Sequence, residues 1–454
     1  MTFERWRETG REVAVVGLAR SGVAAGLLLR HEGVPVYASD RAAVPDKTVG
    51  VEGIARLTSA GAVVELGGHD LGRIALAAAC VVSPGVPPEA PPLEAARQGG
   101  VPIVSELDVG YAALVGSRFA VITGTNGKTT TTALVGHLLV AGAINAVTAG
   151  NIGRPLAQVA LDGERPAWIA LEVSSFQLHD THDLVPTIGA MTNLAPDHLD
   201  RYPDLGAYYG DKDRLYLNAG PHSRWVLNGD DAEVERRAAG VAGHKLRFSV
   251  TRAADAWYDR ARRRLMLGTM PLLDRDALSL FGDHNVANAL CAALVASQAG
   301  VAADRIRDGL GSFRALPHRM EPVRTVGGVL WINDSKATNV ASTMVAVQAL
   351  EQPFVLLLGG RHKGEPYTAL ADGAGQRCRA VIAYGESRDL VVRDLEGKLP
   401  VTRAGTDFGA VLALARRLAQ PGDAVLLSPA CSSYDMFQNY EDRGAQFRAA
   451  VEAM

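Results

Sequence analysis

Phe119-Ala120-Val121-Ile122-Thr123-Gly124-Thr125-Asn126-Gly127-Lys128-Thr129-Thr130 is the stretch on which the reading of this chain turns. A run of apolar and β-branched residues passes into a glycine-rich turn, and a helix-like stretch follows from Thr129 to Ala141. Strand, turn and helix in that order aim backbone N–H groups and the positive helix end at phosphate oxygens. Lys128 then neutralises phosphate charge, and the Thr129 hydroxyl suits Mg²⁺. The loop is one residue shorter than the G-x-x-x-x-G-K-[ST] pattern. A phosphate loop also needs an acid for the metal. Glu172 ends an otherwise apolar run from Trp168, where a buried carboxylate would be costly without a partner.

Working outward, the same alternation recurs on both sides. Val13 to Val16 and Val34 to Ala38 flank an apparent helix, and Cys80 to Val82 and Val101 to Val104 extend the series. Trp168 to Val173 and Ile188 to Asn193 read as further buried strands. Between Arg224 and Leu280 the signal weakens into short strands and turns. A third alternating region begins near Leu316, with candidate strands Val329 to Asn333, Phe354 to Leu358, Ala380 to Tyr384 and Ala424 to Leu427, and an amphipathic helix over Phe408 to Leu418. Three α/β units in series are expected, with boundaries near 110 and 315, and parallel sheets covered by helices.

Composition fits this and narrows the function. Apolar residues make up 48% and charged residues 21%, globular values, and 48 glycines suit many tight turns. A net charge of −3 without a long basic run excludes a dedicated nucleic-acid binder. Cys80, Cys291, Cys378 and Cys431 lie far apart, which excludes zinc-type or redox pairs and suits a reducing cytoplasm. The opening residues lack a signal-peptide pattern, and no apolar run reaches the roughly 18 residues of a membrane span. A cytoplasmic protein with no membrane partner is expected.

Several turns after strands carry polar clusters. Gly17-Leu18-Ala19-Arg20-Ser21-Gly22 resembles a dinucleotide fingerprint, with Asp40 at the distance expected of a ribose or base contact, but Ala19 replaces the second glycine and weakens the case for a nicotinamide cofactor. His198 lies in Asn193-Leu194-Ala195-Pro196-Asp197-His198, after a strand, where loops carry function. Lys212, between Asp211 and Asp213, reads by itself as part of a solvated helix face. Trp331-Ile332-Asn333-Asp334-Ser335-Lys336-Ala337-Thr338-Asn339 and Ser428-Pro429-Ala430-Cys431-Ser432-Ser433 each follow a buried strand, where open α/β sheets bind ligands.

Taken together, GTNGKTTT, LEVSSFQL, the Asp197-His198 turn, LPHRMEP, NDSKATN and LSPACSSYDMFQNYEDRG resemble, in order and over nearly the whole chain, the Mur ligase family. The likeness is to its D-glutamate-adding branch. Asn126 stands where the alanine-adding relative usually has His, and the DNPR motif of the diaminopimelate-adding relative is absent. The resemblance implies an α/β fold of three domains: a Rossmann-like UDP-binding unit over 1–110, a P-loop ATPase-like domain over 111–315, and a Rossmann-like amino-acid-binding domain over 316–454. It implies ATP-dependent addition of D-glutamate to UDP-N-acetylmuramoyl-L-alanine through an acyl phosphate, in peptidoglycan synthesis and hence cell shape and division.

The resemblance also distributes the site. ATP is expected on Gly124, Thr125, Asn126, Gly127, Lys128, Thr129 and Thr130, with Asn285, Asn288, Arg319 and Asp334. Two Mg²⁺ ions are expected on Thr129, Glu172, His198 and a carbamylated Lys212, with Lys128, His198 and Lys212 as the catalytic set. Carbamylation needs a neutral amine, so Asp211 and Asp213 must point away. The UDP substrate is expected on Arg20, Ser21, Asp40, Arg41, Gly85 and Asn151, with Ser39 nearby, and D-glutamate on Lys336, Thr338, Lys363, Ser433, Tyr434 and Tyr440. His362 stands where relatives often have Asp or Gly, and Tyr434 and Tyr440 where less polar residues are known. Motifs on three domains imply ligand-driven closure, and a monomer is expected. The competing readings are a folylpolyglutamate synthetase-like ligase, a nicotinamide-dependent oxidoreductase, and a non-catalytic nucleotide sensor.

Overall fold

The computed structural model describes residues 3–199 and 201–454. Three sheets organise them. The first has spatial order Val63–Leu66, Val36–Asp40, Val13–Val16, Ala79–Val82, Ile103–Ser105, all parallel, the Rossmann order 3-2-1-4-5 without a sixth strand among the described residues. The second places Arg118–Thr123 between Trp168–Glu172 and Ile188–Met191, with Ala146–Gly150 at one edge. On its other side follow Arg224–Asn228, His244–Ser249 and Ala256–Asp259, still parallel, then Arg264–Leu267 and Met270–Asp274, which run antiparallel. The weak region of the sequence is therefore an extension of this sheet.

The third sheet has order Glu321–Val326, Val329–Asn333, Ala424–Leu427, Phe354–Gly359, Cys378–Tyr384, Val401–Arg403, parallel except for the first pair. Its central strands are buried at every residue but the half-buried Arg379, as strands covered by helices on both faces must be. Two apolar clusters cover those faces. One includes Leu356, Leu358, Val381 and Leu426, the other Leu357, Ile382, Val425 and Phe447.

The chain forms two compact units. One comprises the residues up to Arg275 together with Ala287–Gly311; the other comprises Asp276–Val286 and Ser312–Met454. Within the first unit the first two sheets share one core, which continues from Val15 and Leu28 through Leu107 and Leu156 to Ile169. The helix Glu106–Ala113 makes the join. Asp108 accepts the backbone N–H groups of His182 and Asp183, and Glu106 accepts that of Ala157 at 2.5 Å.

Some strand limits differ from the expected ones. The second strand runs Val36–Asp40, so Asp40 is its last residue, and the fifth runs Ile103–Ser105. Val63–Leu66, Ala146–Gly150, Glu321–Val326 and Val401–Arg403 carry no buried apolar run, because each lies at a sheet edge and is only partly covered.

Candidate active site

In the first unit the functional residues gather where parallel strands end. Ile122 pairs with Glu172 and Thr123 with Met191, which brings the loops after three neighbouring strands to one end of the sheet. Gly124 has φ 142° and Gly127 φ 79°, backbone regions that L side chains rarely adopt. A Cβ on the first would overlap the Thr192 hydroxyl, and one on the second the Asn288 side chain. Gly127 caps the 14-residue helix Lys128–Ala141 and, having no side chain, makes no side-chain cap hydrogen bond. A helix start of this kind, with the positive end of the helix at a glycine turn, is the local geometry that favours an anion.

The loop is stitched to the one beside it. The Asn126 N–H donates to Asn193 Oδ1 at 2.9 Å and the Thr192 hydroxyl donates to the Asn126 carbonyl at 2.6 Å. Thr125 Oγ1 donates to the Ala195 carbonyl at 3.1 Å. Lys128 Nζ donates to the carbonyls of Gly124 at 2.9 Å and Thr125 at 2.8 Å, so its ammonium lies over the loop. Thr129 and Thr130 follow in the first helical turn, half-buried. Asn288 is buried and accepts from the Thr131 hydroxyl at 3.2 Å.

Lys212 departs most from its local sequence reading. It is 1% exposed rather than solvated, its Nζ donating to the Gly124 carbonyl at 2.7 Å and lying 4.7 Å from the Tyr208 ring centroid. The helix Leu205–Asp213 turns this face inward because Tyr208 and Tyr209 on the same element are buried too. Burial, followed by the charge of Lys128, depresses its pKa to about 7. The flanking acids point elsewhere. Asp211 is held by His179 Nδ1 at 2.9 Å and the Tyr202 hydroxyl at 2.9 Å, and Asp213 by Arg237.

Glu172, 1% exposed, accepts from Asn151 Nδ2 at 2.9 Å. His198 has φ 54°, left-handed for a non-glycine residue, and packs edge-on against Phe176 at 4.9 Å. Among the described residues, no group of three or more His, Cys, Asp or Glu side chains is placed to hold a metal alone. One buried carboxylate and a hydroxyl beside a phosphate cradle fit Mg²⁺, which takes one or two carboxylates, substrate phosphates and water.

A cleft of about 300 Å³ opens between the first two sheets of the same unit, lined by Arg20, Ser21, Glu106, Asn151, Gly153 and Gln177 among others. Arg20 and Ser21 begin the helix Arg20–His31, and Arg20 Nη1 donates to the Gly153 carbonyl at 3.2 Å. Ser21 donates to Ser83 Oγ at 3.4 Å. The Asp40 carboxylate accepts the Leu18 N–H at 2.6 Å and the Ala42 N–H at 2.8 Å, shaping the glycine turn in addition to any ligand contact. Ser39 Oγ lies 2.8 Å from His69 Nδ1. Arg41 and Gly85 are exposed.

In the second unit the loops after Val329–Asn333 and Ala424–Leu427 lie side by side, since those strands pair in parallel. Lys336 Nζ donates to the Tyr440 hydroxyl at 3.1 Å, and Lys363 Nζ to Thr338 Oγ1 at 3.3 Å. Ser433 is buried, whereas Tyr434 is 64% exposed and stands apart. His362 Nδ1 lies 2.9 Å from the Tyr367 hydroxyl. Asp334 accepts from the Met320 N–H at 3.0 Å and the Ser428 hydroxyl at 2.8 Å, and burial raises its pKa to about 7, against the opposing pull of those two hydrogen bonds and of the charges of Arg319 and Arg443. Asn285, buried near the start of Asp283–Gln298, donates to the Phe281 carbonyl at 2.9 Å.

Sequence reasoning gave no role to Asn193, Tyr208, Glu106 or Arg443. Asn193 and Arg443 do stand inside stretches that the motifs single out, but nothing in a linear pattern shows which backbone a side chain will hold.

A glycine-rich loop at a helix start, a buried lysine of depressed basicity, and Lys336, Lys363 and Ser433 near the strand ends of the third sheet fit a nucleotide-driven ligase. The chain belongs to the Mur ligase family. Its residues 11–105 match the Mur ligase MurD-like N-terminal domain, 122–296 the Mur ligase middle domain, and 318–431 the Mur ligase glutamate ligase domain. Relatives named UDP-N-acetylmuramoylalanine--D-glutamate ligase are similar over their full length. The one from Myxococcus xanthus is 40% identical, covering 98% of this chain and 99% of its own. The one from Salinibacter ruber is 39% identical over 100% of both. Among solved structures, the fold is shared with MurF from Acinetobacter baumannii (TM-score 0.61, 16% identity, 92% and 91% covered) and UDP-N-acetylmuramate-alanine ligase from Thermotoga maritima (0.59, 17%, 97% and 99%).

Proposed function

We propose that this ligase joins D-glutamate to the L-alanine carboxyl group of UDP-N-acetylmuramoyl-L-alanine, with conversion of ATP to ADP and phosphate, as a step of peptidoglycan synthesis. The observation that carries the reading is the full-length likeness to enzymes of that name, 40% and 39% identical. The domains are taken as 1–110 for the UDP substrate, 111–315 for ATP and 316–454 for the amino acid. We place the reaction in the cytoplasm, in keeping with four buried cysteines that form no disulfide, and assign a monomer.

The substrate carboxylate attacks the γ-phosphorus of ATP, forming an acyl phosphate as ADP leaves. The D-glutamate amine then attacks the acyl carbon; an amide forms, phosphate departs and the nitrogen loses a proton. Both steps gather negative charge, and the N–H groups of the Gly124–Thr130 loop with Lys128 offset it in place, without reorganising at the moment of reaction. Thr129, Glu172, His198 and a carbamate on Lys212 are the groups that would hold two Mg²⁺ ions, which when bound would further neutralise the transferred phosphoryl group. The carbamate forms when the neutral Lys212 amine adds to CO₂ and releases a proton. Burial and the neighbouring Lys128 supply that neutral amine near pH 7.

Arg20, Ser21, Asp40, Arg41, Gly85 and Asn151 are assigned to the UDP substrate. Asn285, Asn288, Arg319 and Asp334 are assigned to the nucleotide, and Lys336, Thr338, Lys363, Ser433, Tyr434 and Tyr440 to D-glutamate, whose two carboxylates suit cationic and hydroxyl donors. Lys128→Ala tests the cradle: ADP formation is expected to fall at least ~10³-fold with the circular-dichroism spectrum unchanged. Near-normal turnover in that variant would remove the assignment.

A further inference from the structure

The last helix, Tyr440–Glu452, carries Arg443 in its first turn, and the side chain is completely buried at 0% exposure. A buried guanidinium ordinarily has a carboxylate against it, because an unpaired charge is costly to take out of water. Among the described residues no carboxylate forms an ion pair with Arg443. Its donors go to neutral oxygens: Nε to Ser335 Oγ at 2.9 Å, Nη2 to the Ser335 carbonyl at 2.8 Å, and both Nη atoms to the Cys431 carbonyl at 3.2 Å. The Ser335 hydroxyl donates in turn to the Tyr440 carbonyl at 2.8 Å.

These contacts fall at informative places. Ser335 immediately precedes Lys336, and Cys431 lies two residues before Ser433. One side chain therefore bolts together the two strand-end loops that bear the amino-acid-binding groups, and its own helix begins with Tyr440, the partner of Lys336. Neutral acceptors fix the guanidinium's position, and the buried carboxyl that feels its charge, Asp334, is itself pushed up to about 7 by burial and so offsets that charge only in part. In a poorly screened interior such a charge acts over several ångströms and favours an anion nearby.

We propose that Arg443 is a positioning residue of the amino-acid site that aligns the Lys336 and Ser433 loops and supplies a buried positive charge selecting an amino acid with an acidic side chain. This rests on the assignment of D-glutamate to that site. The role differs from that of a simple structural bolt, because it requires the charge as well as the hydrogen bonds.

The test compares Arg443→Met, which removes charge and fork, with Arg443→Lys, which keeps the charge and loses the fork, and with Ser335→Ala, which removes one acceptor. Steady-state KM is measured for D-glutamate, ATP and UDP-N-acetylmuramoyl-L-alanine, with thermal melts alongside. Arg443→Met is expected to raise KM for D-glutamate at least tenfold, Arg443→Lys to recover part of that loss, and Ser335→Ala to give a rise of a few fold. KM for the UDP substrate should stay within twofold throughout. A D-glutamate KM within twofold of the parent's in folded Arg443→Met, or equal rises for all three substrates, would overturn the proposal. If Arg443→Met does not fold, Arg443→Lys and Ser335→Ala decide it by the same D-glutamate criterion. Absence of D-glutamate turnover in the parent would instead sink the site assignment on which the proposal rests.

Discussion

Lys212 is held in conditions that a lysine ordinarily avoids: buried beneath the nucleotide loop, beside Lys128, with both neighbouring acids engaged by other partners. Its pKa falls from 10.5 to about 7. The folded state therefore binds fewer protons than the unfolded state between those values. Stability carried by this group rises with pH across that window, and the full penalty applies below about pH 7. The penalty is on the order of 3 to 5 kcal/mol; the hydrogen bond to Gly124 returns only about 1 kcal/mol. Lys212→Met is accordingly predicted to melt higher than the parent at pH 7, with the gap narrowing as pH approaches 10, while losing turnover. A lower melting temperature at pH 7 would contradict this energetic reading of the site. None of it was legible in Asp211-Lys212-Asp213 taken alone, where charge alternation suggests a wet surface. The fate of each charge depends on His179, Tyr202 and Arg237, which come from elsewhere in the sequence.

Single elements divide sharply in how far their sequence announces them. The strand, turn and helix around Gly124–Lys128 were readable because backbone geometry itself demands glycine there, whereas edge strands such as Ala146–Gly150 lack the buried apolar run that would mark them. The helix Glu106–Ala113 was not foreseen as a joint between the first two sheets. Glu106 sits at its start, 3% exposed, with Oε1 accepting the Ala157 N–H and Oε2 meeting no hydrogen-bond partner. Burial raises its pKa from 4.5 to about 7, against the pull of the Ala157 and Leu156 N–H groups. Here the folded state binds the proton more tightly, so this group's contribution to stability falls as pH rises from 4.5 to 7 and is level above. The loss is on the order of 3 kcal/mol. Denaturant titrations at pH 5 and pH 8 should show it in the parent and a much smaller change in Glu106→Gln; identical pH dependence in both would refute the assignment.

At the level of the whole molecule, three α/β regions were legible from their alternation, and three sheets are present. Their grouping into two compact units was not, because the apolar core shared by the first two sheets is built from helices whose burial leaves no boundary signal. The chemistry divides along the same lines. The first unit carries the phosphate loop, Glu172, His198, Lys212 and the cleft at Arg20 and Asn151; the second carries Lys336, Lys363, Ser433 and Arg443. On the proposed assignment neither set holds all the groups the reaction needs, so nucleotide turnover should depend on substrates assigned to both.

The most direct test is ADP release by the purified protein with Mg²⁺ and ATP, with UDP-N-acetylmuramoyl-L-alanine and D-glutamate supplied separately and together. Release is predicted only with both present, and replacing D-glutamate by L-alanine or meso-diaminopimelate should abolish it. No release with the complete mixture, or undiminished release with a different amino acid, would contradict the central claim.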